Sequence, residues 1–249
     1  MAESLVTEET NNIYVIKLNR PEKLNALNEE IWVKLGDHLE MACNGGYKAV
    51  ILTGEGRAFS AGDDIKAMYD FKSVDDAKRF FSKVEKVIRI LGYCGKPVIV
   101  ILNGIAVGGG AELLFLADVV IGLRGAWISY PEAYIGLVPP ILLTLGLSVV
   151  GPKAVKYLAL TGHRLSVDDA YRIGLVDYIA DSVKEAFDTA LVLAESMSRI
   201  PSNTIAEIKR IVMRSYEDKL KSTLDALIRL VLTPESKRLM YEFINKRKR

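Results

Sequence analysis

Apolar positions along the chain fall into two kinds of run. NIYVIKLNR (residues 12–20), KAVILTG (48–54), KPVIVILNG (96–104) and ADVVIGL (117–123) are short and rich in Val and Ile, with Gly or Asn near their ends. Runs of this length and composition predict buried strands. Between them the period lengthens. Leu27, Ile31, Leu35 and Leu39 step by four along one face, and Phe80, Val84, Val87, Ile88 and Leu91 form a second stripe behind a capping box at Ser73 and Asp76. Both stretches predict amphipathic helices. Strands alternating with helices predict an α/β fold with largely parallel pairing. From Ser182 the strand signal stops. SVKEAFDTALVLAESMSR opens on a Ser-x-x-Glu capping box, and Pro201 and Pro234 divide the rest of the chain into further helices. This stretch predicts a helical appendage whose apolar faces pack on the core or on another subunit. No internal repeat or low-complexity tract is visible.

A chain of 249 residues suffices for one large domain, or a domain with a small appendage, around a sizeable core. Lys and Arg number 33 against 31 Asp and Glu, so net charge makes no case for a nucleic-acid or membrane partner. The charge is uneven, with Glu3, Glu8 and Glu9 at the start and Lys246, Arg247, Lys248 and Arg249 at the end. The basic end predicts a solvated tail, or less often a phosphate contact. Cys43 and Cys94 stand far apart without a CxxC partner, which predicts two reduced thiols in a cytoplasmic protein. The first residues lack a basic region followed by an apolar one, so no secretory signal is read. Residues 133–152 carry no charge and approach the length of a membrane span, but they include Gly136, Pro139, Pro140 and Gly146. A buried segment lining a core, pocket or interface is the better reading.

The chemistry concentrates in VGGGAE, residues 107–112. Gly108, Gly109 and Gly110 lack the G-x-G-x-x-G spacing of a dinucleotide fingerprint, and no Gly-Lys-Ser/Thr comes after them for a phosphate loop. Two readings remain: a bare backbone turn at a helix N-terminus, where free N–H groups favour negative charge, or glycines that serve only packing. TGEGRAFSAGDDIK (53–66) supplies a second such turn after a strand, and its Ala61-Gly62-Asp63 segment can bring another N–H to the same place. Two convergent amides make an oxyanion hole, worth roughly 3 to 4 kcal/mol per donor in acyl chemistry. Glu112 comes directly after the first turn, and Glu132 lies in SYPEAYIG beyond the next strand, so one pocket can hold both carboxyls. A serine hydrolase is the rival enzyme class. Ser60 sits in an incomplete G-x-S-x-G, with Asp118 and His163 after it in the required order. His38 reads as a partly buried helix residue, and two separated histidines with two separated cysteines give no metal cluster.

NRPEKLNALN, TGEGRAFSAGDDIKAM, KPVIVILNGIAVGGGAELLFLAD, PEAYIGLVPP and LTGHRLSVDDAYRIGLVD, in this order over residues 13–180, together resemble the crotonase, or enoyl-CoA hydratase/isomerase, superfamily; the terminal FINKRK resembles the family's tail. The resemblance implies an α/β, crotonase-like spiral of ββα repeats over residues 1–195 and a C-terminal helical trimerisation region over 196–249. It implies an acyl-CoA thioester substrate, no cofactor beyond the coenzyme A the substrate carries, no metal, and a homotrimer or dimer of trimers. The amides of Asp63 and Gly109 match the oxyanion-hole donors, with Gly108 beside them, and Glu112 and Glu132 match the two carboxylates of hydratases. Asn25, Ala26, Leu27, Ala61, Asp64 and Ile65 lie where relatives hold CoA. The implied activity is hydration of a trans-2-enoyl-CoA, Glu112 activating water and Glu132 delivering the proton to Cα.

Two departures complicate this. Eight residues after Glu132 relatives usually carry a glycine whose amide can bond the carboxylate; here stands Pro140, which has no N–H to give. That predicts a raised Glu132 pKa, and it resembles Δ3-Δ2-enoyl-CoA isomerases, which can work through the glutamate matching Glu132 alone. Glu112 favours the hydratase. Asp63 places a carboxylate beside a developing enolate and is expected to be either turned away or paired, with Lys66 or Arg57 as the candidate partners. Outside enzymology, the alternative is a non-catalytic RNA-binding or scaffold relative, supported only by the basic tail.

Overall fold

The protein is described by a computed structural model over residues 3–246, in which ten strands form two sheets with eleven α-helices around them. The larger sheet runs in the order β1 (Leu5–Thr10), β2 (Ile13–Leu18), β3 (Ala49–Gly54), β5 (Val98–Leu102), β7 (Val119–Leu123) and β10 (Tyr178–Ala180). All neighbours are parallel except β1, which pairs antiparallel with β2 at the edge. The four apolar runs of the sequence are β2, β3, β5 and β7. They read as unbroken because both faces of the sheet are covered. Ile13, Ile51, Ile99 and Ile121 face Ala186, Ala190 and Ala194 of α8 (Val183–Met197), whose small side chains let the helix lie close. Val50, Leu52, Val98 and Val100 face the other way, into the main core shared with α1 (Glu29–Asn44) and α3 (Val74–Tyr93).

The second sheet positions the candidate site residues. Its strands are β4 (Ala58–Ser60), β6 (Ile105–Val107), β8 (Trp127–Ser129) and β9 (Leu165–Ser166), the first three parallel and β9 antiparallel to β8. Each of β4, β6 and β8 comes after a strand of the large sheet and leads into a helical turn: α2 (Ile65–Tyr69), α4 (Gly109–Glu112) and a 3-10 turn at Glu132–Ile135. A ββα unit therefore recurs three times without a sequence repeat. Main-chain pairing carries the repetition, and main-chain pairing leaves little trace in side-chain identity.

The predicted capping box on α3 is present, Ser73 and Asp76 each accepting from the other's backbone N–H. On α8 only half of one forms: Ser182 accepts from the Glu185 amide, but Glu185 Oε2 accepts from Asp181 N. After β8 come α5 (Gly146–Val149), α6 (Gly151–Thr161) and α7 (Val167–Arg172), and the uncharged segment buries Ile135, Leu137, Ile141, Leu142 and Leu145 in the core. Among the described residues no helix is long and apolar enough to cross a membrane. The C-terminal stretch is α9 (Ser202–Arg214), α10 (Glu217–Val231) and α11 (Pro234–Lys246), broken at Pro201 and Pro234 as the sequence predicts. α9 and α10 pack on α3, while α11 packs on α2 and the 132–135 turn. Lys209 of α9 reaches inward to Asp118 at 2.5 Å and to the Lys96 carbonyl at 3.0 Å, fastening this region to the sheet. Of the basic tail, Arg247, Lys248 and Arg249 lie outside the described residues.

The expectation of free thiols is corrected. Cys43 and Cys94 form a disulfide, with Cα atoms 5.4 Å apart. α1 and α3 lie side by side in the same direction, as the ion pairs Glu29–Lys83 and Asp37–Lys86 show, so their C-terminal ends meet. A separation of 51 residues hid that meeting. Cytoplasmic placement loses the support that reduced thiols gave it.

Candidate active site

Parallel pairing puts the C-terminal ends of β4, β6 and β8 beside one another, Ser60 opposite Ala106 and Val107 opposite Ser129. The loops beyond them leave from one edge, about 5 Å from neighbour to neighbour. The first two touch. Gly62 has φ +80°, and a Cβ on it would stand 2.5 Å from the Val107 carbonyl oxygen and 3.2 Å from Gly109 N, so only glycine fits. In that first loop the Ala61 amide donates to Leu24 O, the Gly62 amide to Ser60 Oγ and the Asp64 amide to Leu27 O. The amide of Asp63, between them, has no acceptor among the described residues. Gly109 is the first residue of α4, so its N–H has no intrahelical acceptor either. Two unspent amides thus stand on contacting loops.

The two glutamates differ in their surroundings. Glu112 is 4% exposed, and its Oε1 accepts from Ile141 N at 2.6 Å and Leu142 N at 2.9 Å. Glu132 lies against Gly108, where a Cβ would come within 2.9 Å of its Oε1, while its Oε2 is buried without a hydrogen-bond partner among the described residues. Burial, then the charge of Glu132, pushes Glu112 well above the usual carboxylate range; the Leu142 and Ile141 amides pull the other way. Burial pushes Glu132 up to about 8, against its own backbone amide and with the charge of Asp63 adding to it. The rise expected for Glu132 is present, but burial leads it. The amides after Pro140 serve Glu112 instead. Tyr130, fully buried, lies close enough for the charge of both glutamates to raise its pKa further.

Asp63 is not turned away onto Lys66 or Arg57. Lys66 pairs with Asp70 at 3.0 Å, and Asp63 Oδ1 accepts from Trp32 Nε1 at 2.8 Å. Burial pushes Asp63 up to about 6, the Trp32 bond opposing and Asp64 adding. Of the residues matched to CoA binding, Asn25 is a buried bracket: its side chain donates to Glu55 O and Ala58 O and accepts from Arg20 N. Leu27 is also buried, zipped to the Gly62–Asp64 loop by two main-chain bonds, and the Ala26 carbonyl accepts from Arg20. Ala61, Asp64 and Ile65 are half-buried, with Asp64 capping α2. The hydrolase reading fails: Ser60 is buried, donating to Asn25 O and accepting from Gly62 N. Asp118 is paired with Lys209, and His163 lies beside Tyr157. His38 is part-buried on α1 against Tyr14, as expected.

Sequence reasoning missed Trp32 and the Ile141 and Leu142 amides. It also missed Ser236 and Lys237 of α11, which fasten both walls of the site. Ser236 donates to Gly136 O beyond the Glu132 turn, and Lys237 Nζ donates to Met68 O, Tyr69 O and Phe71 O at the end of α2.

Comparison with known proteins adds the lineage. The family model for enoyl-CoA hydratase/isomerase matches residues 8–249. The chain is 32% identical to the short-chain-enoyl-CoA hydratase of Clostridium acetobutylicum over 98% of its length and 96% of that protein. It is 30% identical to the 1,2-epoxyphenylacetyl-CoA isomerase of Escherichia coli over 90% of its length and 87% of that protein. Among solved structures it is similar to an enoyl-CoA hydratase/isomerase from Mycobacterium paratuberculosis, with TM-score 0.86, 26% identity and coverage of 97% and 99% of the two chains.

Proposed function

The chain belongs to the enoyl-CoA hydratase/isomerase family, and on that premise we propose that it hydrates a trans-2-enoyl-CoA thioester. The thioester oxygen takes the two unspent amides of Asp63 and Gly109, so charge that builds on it during addition is met by donors already in place. Two close carboxyls in one pocket do not ionise independently, and hydration needs one of them as an anion and the other as an acid. We assign the anion to Glu112, whose Oε1 accepts two main-chain N–H bonds that favour the charged form against burial and the charge of Glu132. It orients a water and takes its proton. Glu132, with its Oε2 unbonded among the described residues, is the acid and delivers its proton to Cα. The observation that carries this reading is the asymmetry of the pair: Glu112 Oε1 accepts two main-chain N–H bonds, while Glu132 Oε2 is buried with no partner among the described residues.

A second reading is isomerisation of a 3-enoyl-CoA through Glu132 alone. It is favoured by the 4% exposure of Glu112, which leaves Glu132 the more accessible carboxyl. Given crotonyl-CoA and 3-hexenoyl-CoA separately, the purified protein is expected to hydrate the first; isomerisation of the second without hydration of the first moves the assignment. Asn25, Ala26, Leu27, Ala61, Asp64, Ile65 and Gly108 stand as the proposed substrate and CoA contacts. Assembly as a trimer or a dimer of trimers is proposed with it, since Ile208, Ile211 and Val212 of α9 stand 56%, 62% and 52% exposed. Light scattering returning a monomer's mass of 27.6 kDa contradicts that assembly.

A further inference from the structure

Asp63 gives the site a third carboxyl that the hydration scheme leaves unused. Its orientation is set from both sides. Trp32, 2% exposed on α1, donates to Oδ1 at 2.8 Å, and this directs Oδ2 over the other donor loop, 2.6 Å from where a Gly109 Cβ would stand. Oδ2 accepts no hydrogen bond among the described residues. The charged groups that face it are all acidic: Asp64 from its own loop, Glu112 from α4 and Glu132 from the turn after β8; α1 offers only the neutral indole. An ionised Asp63 would therefore oppose the enolate that its own amide is placed to stabilise. A neutral one would support it, because a carboxylic acid held protonated in a desolvated site is a strong donor to an oxyanion.

Resting on the hydratase reading of this same site, we propose that Asp63 is the third donor of the oxyanion hole, its protonated Oδ2 hydrogen-bonding the thioester oxygen beside the two amides. Trp32 fixes where the proton sits: its N–H occupies Oδ1 as an acceptor, so the hydrogen is carried on Oδ2. The proton stays on Asp63 throughout, and no bond to it forms or breaks. Trp32 touches no reacting atom and is a positioning residue. Ionisation of Asp63 removes a donor and adds a repulsion in one step, so activity falls as pH rises through its pKa, about 6 in the free protein.

The test is the pH profile of kcat/KM for crotonyl-CoA between pH 5 and 9 in the wild type, Asp63→Asn and Asp63→Ala. Asparagine keeps the Trp32 bond and supplies an N–H donor that does not titrate. Asp63→Asn is expected to stay within about threefold of wild type at pH 5.5 and to lose the fall that begins near pH 6, keeping only the later fall that belongs to Glu132. Asp63→Ala is expected to lose tenfold or more in kcat at pH 5.5, with KM changed less than about threefold, and to lose that deficit by pH 8, where the wild-type carboxyl is ionised. Infrared spectra of bound crotonyl-CoA carrying ¹³C at the carbonyl give a readout without turnover. Its stretch lies lower in the wild type at pH 5.5 than in Asp63→Ala, and that difference vanishes at pH 8. A wild-type profile in Asp63→Asn, or full kcat in Asp63→Ala at pH 5.5, overturns the third donor and leaves hydration standing. A wild type that hydrates no crotonyl-CoA overturns the hydratase reading before any variant is made, and the third donor falls with it.

Discussion

A half-buried carboxyl with one oxygen buried and unbonded costs stability whenever it ionises, and Glu132 is such a group among the described residues. Its pKa rises from 4.5 to about 8 on folding, so the native state holds this proton more tightly than the unfolded chain. The contribution is therefore complete below about pH 4.5 and is lost as pH rises through 8. Discounted for partial exposure, it amounts to about 2 to 4 kcal/mol. Glu132→Gln should melt at the same temperature as wild type near pH 4.5 and several degrees higher at pH 8.5. Parallel melting curves for the two proteins across that range would contradict the buried acid. At this scale the sequence made the two glutamates and the glycines visible, because a carboxylate after a bare turn is an unusual pattern. It hid Trp32 and the loop after Pro140. Their partners lie 29 to 31 positions away, and the amides of Ile141 and Leu142 have no side-chain signature.

Between elements, ends and edges decide the geometry more than interiors do. The Ser73–Asp76 cap, the breaks at Pro201 and Pro234, and the strands β2, β3, β5 and β7 are legible because each is a local pattern of several residues. β4, β6 and β8 are three residues each, too short for a period of two to register, and β1 exposes half its side chains at the sheet edge. Those short strands aim the loops of the candidate site, so the part of the fold that positions it is the part least legible. The Cys43–Cys94 disulfide is a second junction of this kind. It closes a loop of about 50 residues and should contribute about 2 to 4 kcal/mol. Reduction is expected to lower Tm by about 5–15 °C, with the double variant Cys43→Ala/Cys94→Ala melting at that lower temperature and no longer responding to reductant. An unchanged melting temperature under reducing conditions would contradict the link.

Over the whole molecule, three ββα turns stack their second strands into one small parallel sheet, and from its edge come Asp63, Gly109 and Glu132, with Glu112 one turn further along α4. α11 closes the arrangement from the far end of the chain, Ser236 holding one wall and Lys237 the other. Fold class was legible through the order of its motifs; the disulfide and the α11 clasp were not, since each joins segments distant in sequence. The central claim is that two carboxyls in different environments divide one hydration between them. It is tested most directly by the steady-state rate of crotonyl-CoA hydration in Glu112→Gln and Glu132→Gln. Each is expected to fall by two or more powers of ten. Hydration at the wild-type rate after either substitution would contradict the account.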